Sequence, residues 1–233
     1  MAPHIVLHWL DNSRAQRVVW MLEELGLNYE VKRYKRQADN MGPPELKEVH
    51  PLGRSPVVTI TDGPDTVTLA ESGAIIEFLV EHYGQNTLGI SSSAGLKTRA
   101  DYLYWLHFVE GSGMLTPTLY MIFSAMPKQA PWFLRPLVST ISSGVLSQFV
   151  VPRLTEIFDF VEKSLEGKQY IVGDKLTGAD INLALLGDTL TATPLDFQKY
   201  PNIRRWHAGL KERPAYKAAE AKGDVVDFSK FVQ

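Results

Sequence analysis

The chain has 233 residues, of which 45% are hydrophobic and 21% charged, and its 24 Lys and Arg against 26 Asp and Glu give a formal net charge of −2. This is the composition of a globular protein, and the near-neutral charge argues against nucleic-acid binding, which needs a basic face to displace counterions. The absence of cysteine excludes a disulfide, a zinc–thiolate site and a protein thiol acting as nucleophile.

The first 84 residues alternate between strand and helix patterns. Apolar residues recur at steps of three and four over 15–25 and over 75–83, which predicts two one-sided helices, each followed by a glycine. The expected elements, in chain order, are a strand over 5–10, a helix over 15–25, a strand over 29–34, a short helix from Pro43, a hairpin over 56–69 and a helix over 75–83. The order βαβαββα predicts a mixed sheet with right-handed crossovers.

The rest of the chain has helical patterns. A Gly- and Ser-rich stretch over 85–95 is typical of a linker, and beyond it one apolar face runs over 154–165. Thr177 and Asp180 have the spacing of a capping box at the start of another helix. We therefore expect an α/β plus all-α protein. Its parts would be a βαβαββα domain over 1–84, a linker over 85–95 and an all-helical domain over 96–233.

Neither a membrane span nor a secretory leader is apparent. The longest apolar stretch, 132–151, is broken by Arg135, Pro136 and several serines, whereas a span needs about 20 predominantly apolar residues. The N-terminus lacks the basic region of a signal peptide. We expect a cytoplasmic protein without stable membrane insertion.

Asn12 and Ser13 lie between the first predicted strand and the first predicted helix. A polar side chain there can donate to an anion bound at the helix N-terminus, where exposed N–H groups and the helix dipole favour negative charge. Ser13 and Gln16 also match the S-x-x-Q pattern of a capping box, which needs no ligand and is the commoner local explanation. The sequence leaves both interpretations open.

Two further polar motifs border predicted strand ends. Ser55-Pro56 precedes a strand, and the local expectation is an ordinary trans turn, because only about one X–Pro bond in twenty is cis. A cis bond would instead expose the Ser55 backbone to an extended peptide ligand. Glu71-Ser72 precedes a helix, where Ser72 is either a cap or, with Glu71, a binder of an amino-acid head group. All these motifs lie at sheet edges of the kind where α/β proteins bind ligands.

Nearly the whole chain resembles the glutathione transferases, and within them the fungal Gtt-type and related bacterial members. The matching segments are WLDNSRAQRVVWMLEELGL, PPELKEVHPLGRSPVV, LAESGAIIEFL, YIVGDKLTGADI and YPNIRRWHAGLKERPAYKAA. The first three resemble the thioredoxin-like glutathione-binding domain of that family, and the last two resemble its all-helical domain.

The resemblance implies a serine-type enzyme that uses glutathione as co-substrate and needs no metal. Ser13 is similar to the hydroxyl that stabilises the glutathione thiolate. In serine-type members this hydroxyl lies either four or five residues before an arginine of the first helix. Counted back from Arg17, four residues gives Ser13 and five gives Asn12. Ser55 resembles the residue before the family's cis-proline, Glu71 and Ser72 resemble the pair that holds the γ-glutamyl end, and Arg54 is expected to face the glycyl carboxylate.

The expected function is conjugation of glutathione to small hydrophobic electrophiles, with glutathione-dependent peroxidase activity as a second expectation. The alternative is a weakly active or non-catalytic glutathione-binding protein on the same scaffold. Tyr104, Trp105 and Phe108 are candidates for the electrophile pocket, although aromatic residues at helical spacing are more often core. The family also implies a homodimer whose other partners are small molecules rather than nucleic acids.

Overall fold

The computed structural model describes residues 2–91 and 93–223, and its first part is a four-stranded mixed sheet with three helices. The elements are β1 (His4–Leu10), α1 (Gln16–Glu24), β2 (Glu30–Tyr34), α2 (Pro44–Val49), β3 (Val57–Asp62), β4 (Asp65–Ala70) and α3 (Ser72–Tyr83). The strand order is β2-β1-β3-β4, with β1 parallel to β2 and antiparallel to β3. The predicted βαβαββα order and mixed sheet are confirmed.

The sheet and the helices α1 and α3 share one apolar core. The strands contribute alternate residues because successive side chains point to opposite faces, whereas the helices contribute residues three and four apart. The fully buried side chains at this contact include Leu7, Val58, Val18, Val19, Leu22, Ile75, Ile76 and Leu79. This packing fixes the start of α1 and the start of α3 at the same edge of the sheet.

The second part of the described chain is helical, as expected. Its helices are α4 (Leu96–Phe108), α5 (Leu115–Gln129), α6 (Arg135–Val145), α7 (Val151–Ser164), α8 (Gly178–Leu190), α9 (Pro201–Lys211) and α10 (Pro214–Ala221), with π-helical turns at Val109–Gly113 and Leu146–Val150 and a 3₁₀ turn at Phe197–Lys199. Residues 224–233, which belong to the expected helical domain, lie outside the described residues. The stretch 111–147 forms most of the α5–α6 hairpin.

The capping box predicted for Thr177 and Asp180 is present at the start of α8. The Thr177 N–H and hydroxyl both donate to Asp180 Oδ2, at 3.1 and 3.0 Å. The other carboxylate oxygen, Oδ1, accepts from the Ile171 N–H at 2.8 Å and from Trp206 Nε1 at 3.0 Å. A single buried carboxylate therefore joins the start of α8 to the preceding loop and to α9.

One helix of the described chain, Arg135–Ser164, is long and apolar enough by length and composition to cross a membrane. It contains α6, the second π-helical turn and α7. Its second half is part of the helical core, since Leu154, Phe158 and Val161 are buried there. The apolar character of that half is accounted for by packing inside the domain.

The sheet part and the helical part meet along α1. The Trp20 ring packs edge-on against the Tyr216 ring of α10, with centroids 5.1 Å apart. At the end of α1, Glu24 accepts two hydrogen bonds from the Arg213 guanidinium, at 2.6 and 2.8 Å. The N-terminal end of α1, at Gln16, borders the candidate site.

Candidate functional site

Ser13 lies at the junction between the end of β1 and the start of α1, with only 7% of its surface exposed. The capping-box interpretation of Ser13 and Gln16 is wrong, because α1 begins at Gln16 after Ala15 and no side chain caps it. The junction turns sharply at Asn12, whose φ of 51° lies in the left-handed region that asparagine tolerates better than most residues. Ser13 therefore has a tertiary rather than a local partner.

That partner is Ser55, in the loop before β3. The Ser13 and Ser55 Oγ atoms are 3.1 Å apart, and Ser55 Oγ also accepts from the Leu10 N–H at 3.0 Å and donates to the His8 carbonyl at 2.8 Å. Since the single Ser55 proton goes to His8, the bond between the two hydroxyls is donated by Ser13. Ser55 thus anchors its loop to β1 and orients the Ser13 hydroxyl.

The Ser55–Pro56 peptide bond is cis. The local expectation of a trans turn is wrong, and the cis bond that the family resemblance implied is confirmed. Proline at 56 is compatible with the following strand because it stands one residue before β3. Neighbouring Arg54 is exposed on the same loop.

Asn12 is exposed, and its main chain rather than its side chain has a described contact. Arg36 donates to the Asn12 carbonyl at 3.0 Å and to the Asp11 carbonyl at 2.8 Å. The same guanidinium donates to the Asn40 carbonyl at 2.7 Å. Arg36 therefore fixes the backbone of the β1–α1 junction from outside and leaves the Asn12 amide at the surface.

Glu71 and Ser72 lie at the start of α3. Glu71 is exposed with a φ of 69°, a conformation that is costly for a non-glycine residue and is found preferentially at functional sites. The interpretation of Ser72 as a cap is wrong, because Ser72 is the first residue of the helix and no side chain caps it. Its hydroxyl instead accepts from Arg17 Nη2 at 2.9 Å and donates to Glu110 Oε1 at 3.3 Å.

Buried Arg17 and half-buried Glu110 form a charged cluster beside Ser72 that sequence reasoning missed. Arg17 Nη2 lies 2.6 Å from Glu110 Oε1, Arg17 Nη1 donates to the Asn182 carbonyl at 3.1 Å, and Arg14 pairs with the same carboxylate. Burial lowers the pKa of Arg17 to about 10, so the guanidinium stays charged at neutral pH. The one available signal was an arginine on the otherwise apolar face of α1.

A narrow cleft between α1 and the helices α8 and α10 opens beside Ser13. Its lining combines Ser13 and the polar side of α1 with apolar residues from the second part of the chain: Arg14, Gln16, Arg17, Trp20, Ile181, Ala184, Leu185, Asp188 and Tyr216. The free volume is about 20 Å³, which holds about one water molecule. Apolar side chains of α8 and α10 therefore face the polar N-terminal end of α1.

The aromatic candidates from α4 lie elsewhere in the helical part. Trp105 and Phe108 are buried, with 6% and 8% of their surface exposed, and Trp105 stacks on Phe160 of α7 with centroids 5.2 Å apart. Tyr104 is half exposed and contacts the same cluster edge-on. The described structure brings Ser13 and Ser55 together and links Ser72 to Arg17, whereas these aromatic residues are not among those that line the cleft beside Ser13.

Two family models match this chain. The model for the glutathione S-transferase N-terminal domain matches residues 2–81, and the model for the C-terminal domain of the same family matches residues 125–214. Together they span most of the sequence, and they divide it between the sheet part and the helical part.

Individual relatives extend the similarity to nearly full length. The chain is 36% identical to glutathione S-transferase 1 of Saccharomyces cerevisiae, over 94% of this chain and 95% of the relative. A crystal structure of a glutathione S-transferase from Actinobacillus pleuropneumoniae is similar with a TM-score of 0.71 and 33% identity, covering 97% of this chain and 96% of that one. A glutathione transferase family member from Pseudomonas fluorescens, solved with two glutathione molecules bound, has a TM-score of 0.72 and 26% identity, covering 92% and 91% of the two chains.

Proposed function

Since this chain belongs to the glutathione S-transferase family, we propose that it binds glutathione at the edge formed by Ser13, Ser55 and Ser72 and conjugates its thiolate to small hydrophobic electrophiles. The chain has no sulfur that ionises, because it lacks cysteine. The nucleophile is therefore the thiol of the co-substrate, and the task of the protein is to make that thiol acidic.

The buried Ser13 hydroxyl at the start of α1 carries this proposal. A free thiol with a pKa of about 8.5 is mostly protonated at neutral pH, and only the thiolate is nucleophilic. Lowering that pKa by about two units requires roughly 2.7 kcal/mol of selective stabilisation of the anion. A hydrogen bond to a charged group contributes about 1.5–3 kcal/mol, and a helix N-terminus about 0.3–1 kcal/mol or somewhat more when partly buried. Ser13 and the start of α1 together suffice without an ionised base.

The other expected residues suit the rest of the tripeptide. Exposed Glu71 complements the ammonium group of the γ-glutamyl end, while Ser72 and the N–H groups at the start of α3 complement its carboxylate. The Ser55 main chain is assigned to the cysteinyl portion and exposed Arg54 to the glycyl carboxylate. Asn12, at the surface beside Ser13, is assigned to glutathione binding rather than to the thiolate.

The electrophile is proposed to enter the cleft beside Ser13 from the apolar side. Ile181 and Leu185 of α8 and Tyr216 of α10 face the helix that carries Ser13. Half-exposed Tyr104 is retained as a candidate contact, and buried Trp105 and Phe108 would support it from the core. The small free volume implies that this wall opens when a second substrate enters.

The second candidate is a glutathione-binding protein with little turnover. Two features favour it: the Ser13 hydroxyl is already hydrogen-bonded to Ser55, and the free volume of the cleft is about 20 Å³. Catalysis requires Ser13 to exchange its bond to Ser55 for a bond to the sulfur. The two candidates therefore differ in whether Ser13 makes that exchange.

The test compares conjugation of a chloronitrobenzene substrate by the wild type, Ser13→Ala and Asn12→Ala, with exposed Ser139→Ala as the matched control. Loss of one charge-assisted hydrogen bond in Ser13→Ala is expected to slow conjugation about tenfold or more while calorimetry still detects glutathione binding. Unchanged turnover in Ser13→Ala, or a loss confined to Asn12→Ala, would contradict the assignment. Glutathione binding without measurable turnover in the wild type would support the second candidate.

Several broader expectations remain proposals. The domains are taken as 1–84 and 96–233 with a linker over 85–95, the assembly as a homodimer, and the location as cytoplasmic. Reduction of organic hydroperoxides by the same thiolate is a secondary proposal, because it needs the same nucleophile and no further residue. Light scattering of the purified protein measures the assembly, and a coupled glutathione reductase assay measures the peroxidase activity.

A further inference from the structure

Five large apolar side chains are exposed together at the turn between α5 and α6 and along α6. We call them the hairpin-tip patch: Trp132, Phe133, Leu134, Leu137 and Ile141. Trp132 is 80% exposed and Phe133 63%, although folded proteins usually cover such large apolar side chains. Leu134, Leu137 and Ile141 are three and four residues apart and share one face of the helix. A continuous exposed apolar area of this kind marks an interaction site.

The turn that presents the two aromatic rings is closed by hydrogen bonds. The Leu134 N–H donates to the Pro131 carbonyl at 2.9 Å, and Arg135 Nε donates to the Ala130 carbonyl at 3.1 Å. The Trp132 and Phe133 rings pack edge-on against each other, with centroids 5.9 Å apart. The rings are therefore held outward by an ordered turn rather than left on a loose loop.

The stretch of sequence that contains the patch carries basic residues but no acidic ones. No Asp or Glu occurs between Glu110 and Glu156, although the chain has 26 acidic residues in total. The same interval contains Lys128, Arg135 and Arg153. Lys128 lies at the end of α5 and Arg135 at the start of α6, so both flank the turn that carries Trp132 and Phe133. The patch thus combines exposed aromatic rings with positive charge, in a protein whose net charge is negative.

We propose that the hairpin-tip patch docks this protein on an anionic lipid surface. Tryptophan and other apolar side chains partition into the headgroup region of a bilayer, and neighbouring lysine and arginine residues are attracted to its negative surface potential. A second copy of the chain is a poorer occupant. In a two-fold contact the patch would face itself, which would bring the Arg135 side chains of the two copies into the same interface.

In this proposal the protein binds at the surface of the bilayer and does not cross it. The helix that begins at Arg135 continues into α7, whose residues Leu154, Phe158 and Val161 are buried in the helical core. The exposed apolar side chains of the α5–α6 hairpin would therefore enter the headgroup region while the helical core stays in water. This differs from stable insertion, which the sequence does not favour.

Flotation of the full-length protein with vesicles tests the proposal. The wild type is expected to float with vesicles of phosphatidylcholine and phosphatidylserine, less with phosphatidylcholine alone, and less again at high salt. Trp132→Ala/Phe133→Ala is expected to bind the anionic vesicles about tenfold or more weakly, because two apolar anchors are lost. Leu96→Ala, which changes an 87% exposed leucine outside the patch, should bind like the wild type.

Charge-reversal variants measure the electrostatic contribution to vesicle binding separately from the apolar contribution. Arg135→Glu is expected to weaken binding to anionic vesicles, whereas Lys168→Glu, an exposed residue beyond the far end of α7, should not. Circular dichroism of each variant verifies that it is folded. The proposal is overturned if the wild type fails to float with anionic vesicles, or if the aromatic double variant floats as well as the wild type. It is also overturned if that variant changes the oligomeric state in light scattering, because the patch would then be an interface between copies.

Discussion

Arg17 Nη2 of α1 and Glu110 Oε1 of the π-helical turn after α4 lie 2.6 Å apart and join the sheet part of the protein to its helical part. The Arg17 side chain is only 5% exposed, so it has lost nearly all of its water and depends on protein partners to balance its charge. Ser72 contacts both residues. This pair, one of the contacts that join the two parts, therefore lies directly behind the start of α3, where glutathione is proposed to bind.

Replacing Glu110 with glutamine is expected to destabilise the protein by about 1.5–3 kcal/mol, because the buried guanidinium loses a charged hydrogen-bond partner. The loss should not be larger, since Arg17 retains its bonds to Asn182 and Ser72. Urea unfolding of the variant and the wild type measures the difference. Glu212→Gln removes an exposed partner of Lys217 and should change stability by about 0.5 kcal/mol or less. Equal losses in the two variants would contradict a special role for the Arg17–Glu110 pair.

The same ion pair is expected to make stability depend on pH. Burial alone would raise the pKa of Glu110, but Arg17 and Arg14 outweigh it and hold the pKa below its ordinary value of 4.5. The contribution of the pair is therefore complete above pH 4.5 and is lost as the pH falls through the lower pKa of the folded state. We expect the stability difference between the wild type and Glu110→Gln to shrink as the pH is lowered below about 4.5. A difference that is constant over an acidic pH series would show that the charge of Glu110 is not its source.

The elements of the fold were predictable because their signals are local. Apolar spacing located α1 and α3, and the spacing of Thr177 and Asp180 located the start of α8. Ser13 shows the limit of the same reasoning, since S-x-x-Q is a valid local pattern but the hydroxyl bonds to a residue 42 positions away. A tertiary partner can replace a capping interaction at little cost, and nothing in a short window reports it.

The charged cluster behind the site was not predictable for a related reason. Arg17 contacts residues 93 and 165 positions along the chain, and each is an ordinary polar residue in its own helix. Only the packing of α1 against α8 and against the π-helical turn after α4 brings them together. The exposure of the α5–α6 hairpin was equally hard to predict, because its apolar residues share one face of a helix and such a face usually packs into a core.

Asp180 is expected to be one of the most sensitive positions for stability. Its buried carboxylate accepts from the Thr177 and Ile171 N–H groups and from Trp206 Nε1, so Asp180→Ala leaves several buried donors without an acceptor. We expect a loss of about 3–5 kcal/mol in urea unfolding. Asp196→Ala removes a carboxylate that caps an exposed 3₁₀ turn and should cost about 1 kcal/mol. Similar losses at the two positions would contradict the role assigned to Asp180.

Two glycines in helices are expected to respond to alanine in opposite directions. A Cβ atom at Gly187 of α8 would lie 2.7 Å from the His207 ring of α9, so Gly187→Ala must displace a ring that is held 2.9 Å from Asp188. Such overpacking costs about 1–3 kcal/mol. A Cβ at Gly144 of α6 meets no atom within 4 Å, and Gly144→Ala should stabilise the protein by about 0.5–1 kcal/mol. Thermal unfolding of the two variants measures both, and a shift in the same direction would contradict the packing argument.

Titration of the thiol of bound glutathione measures the effect of Ser13 on its pKa separately from the later steps of conjugation. The ultraviolet absorbance of the thiolate in the binary complex is expected to rise with a pKa about two units below that of free glutathione. Ser13→Ala should raise that pKa by about one to two units, because the lost bond to the anion corresponds to about 1.5–3 kcal/mol. Asn12→Ala should leave the pKa unchanged while weakening glutathione binding. If the sulfur bound to the wild type remains protonated at neutral pH, Ser13 does not activate it, and the role of a glutathione-binding protein is the better account of this site.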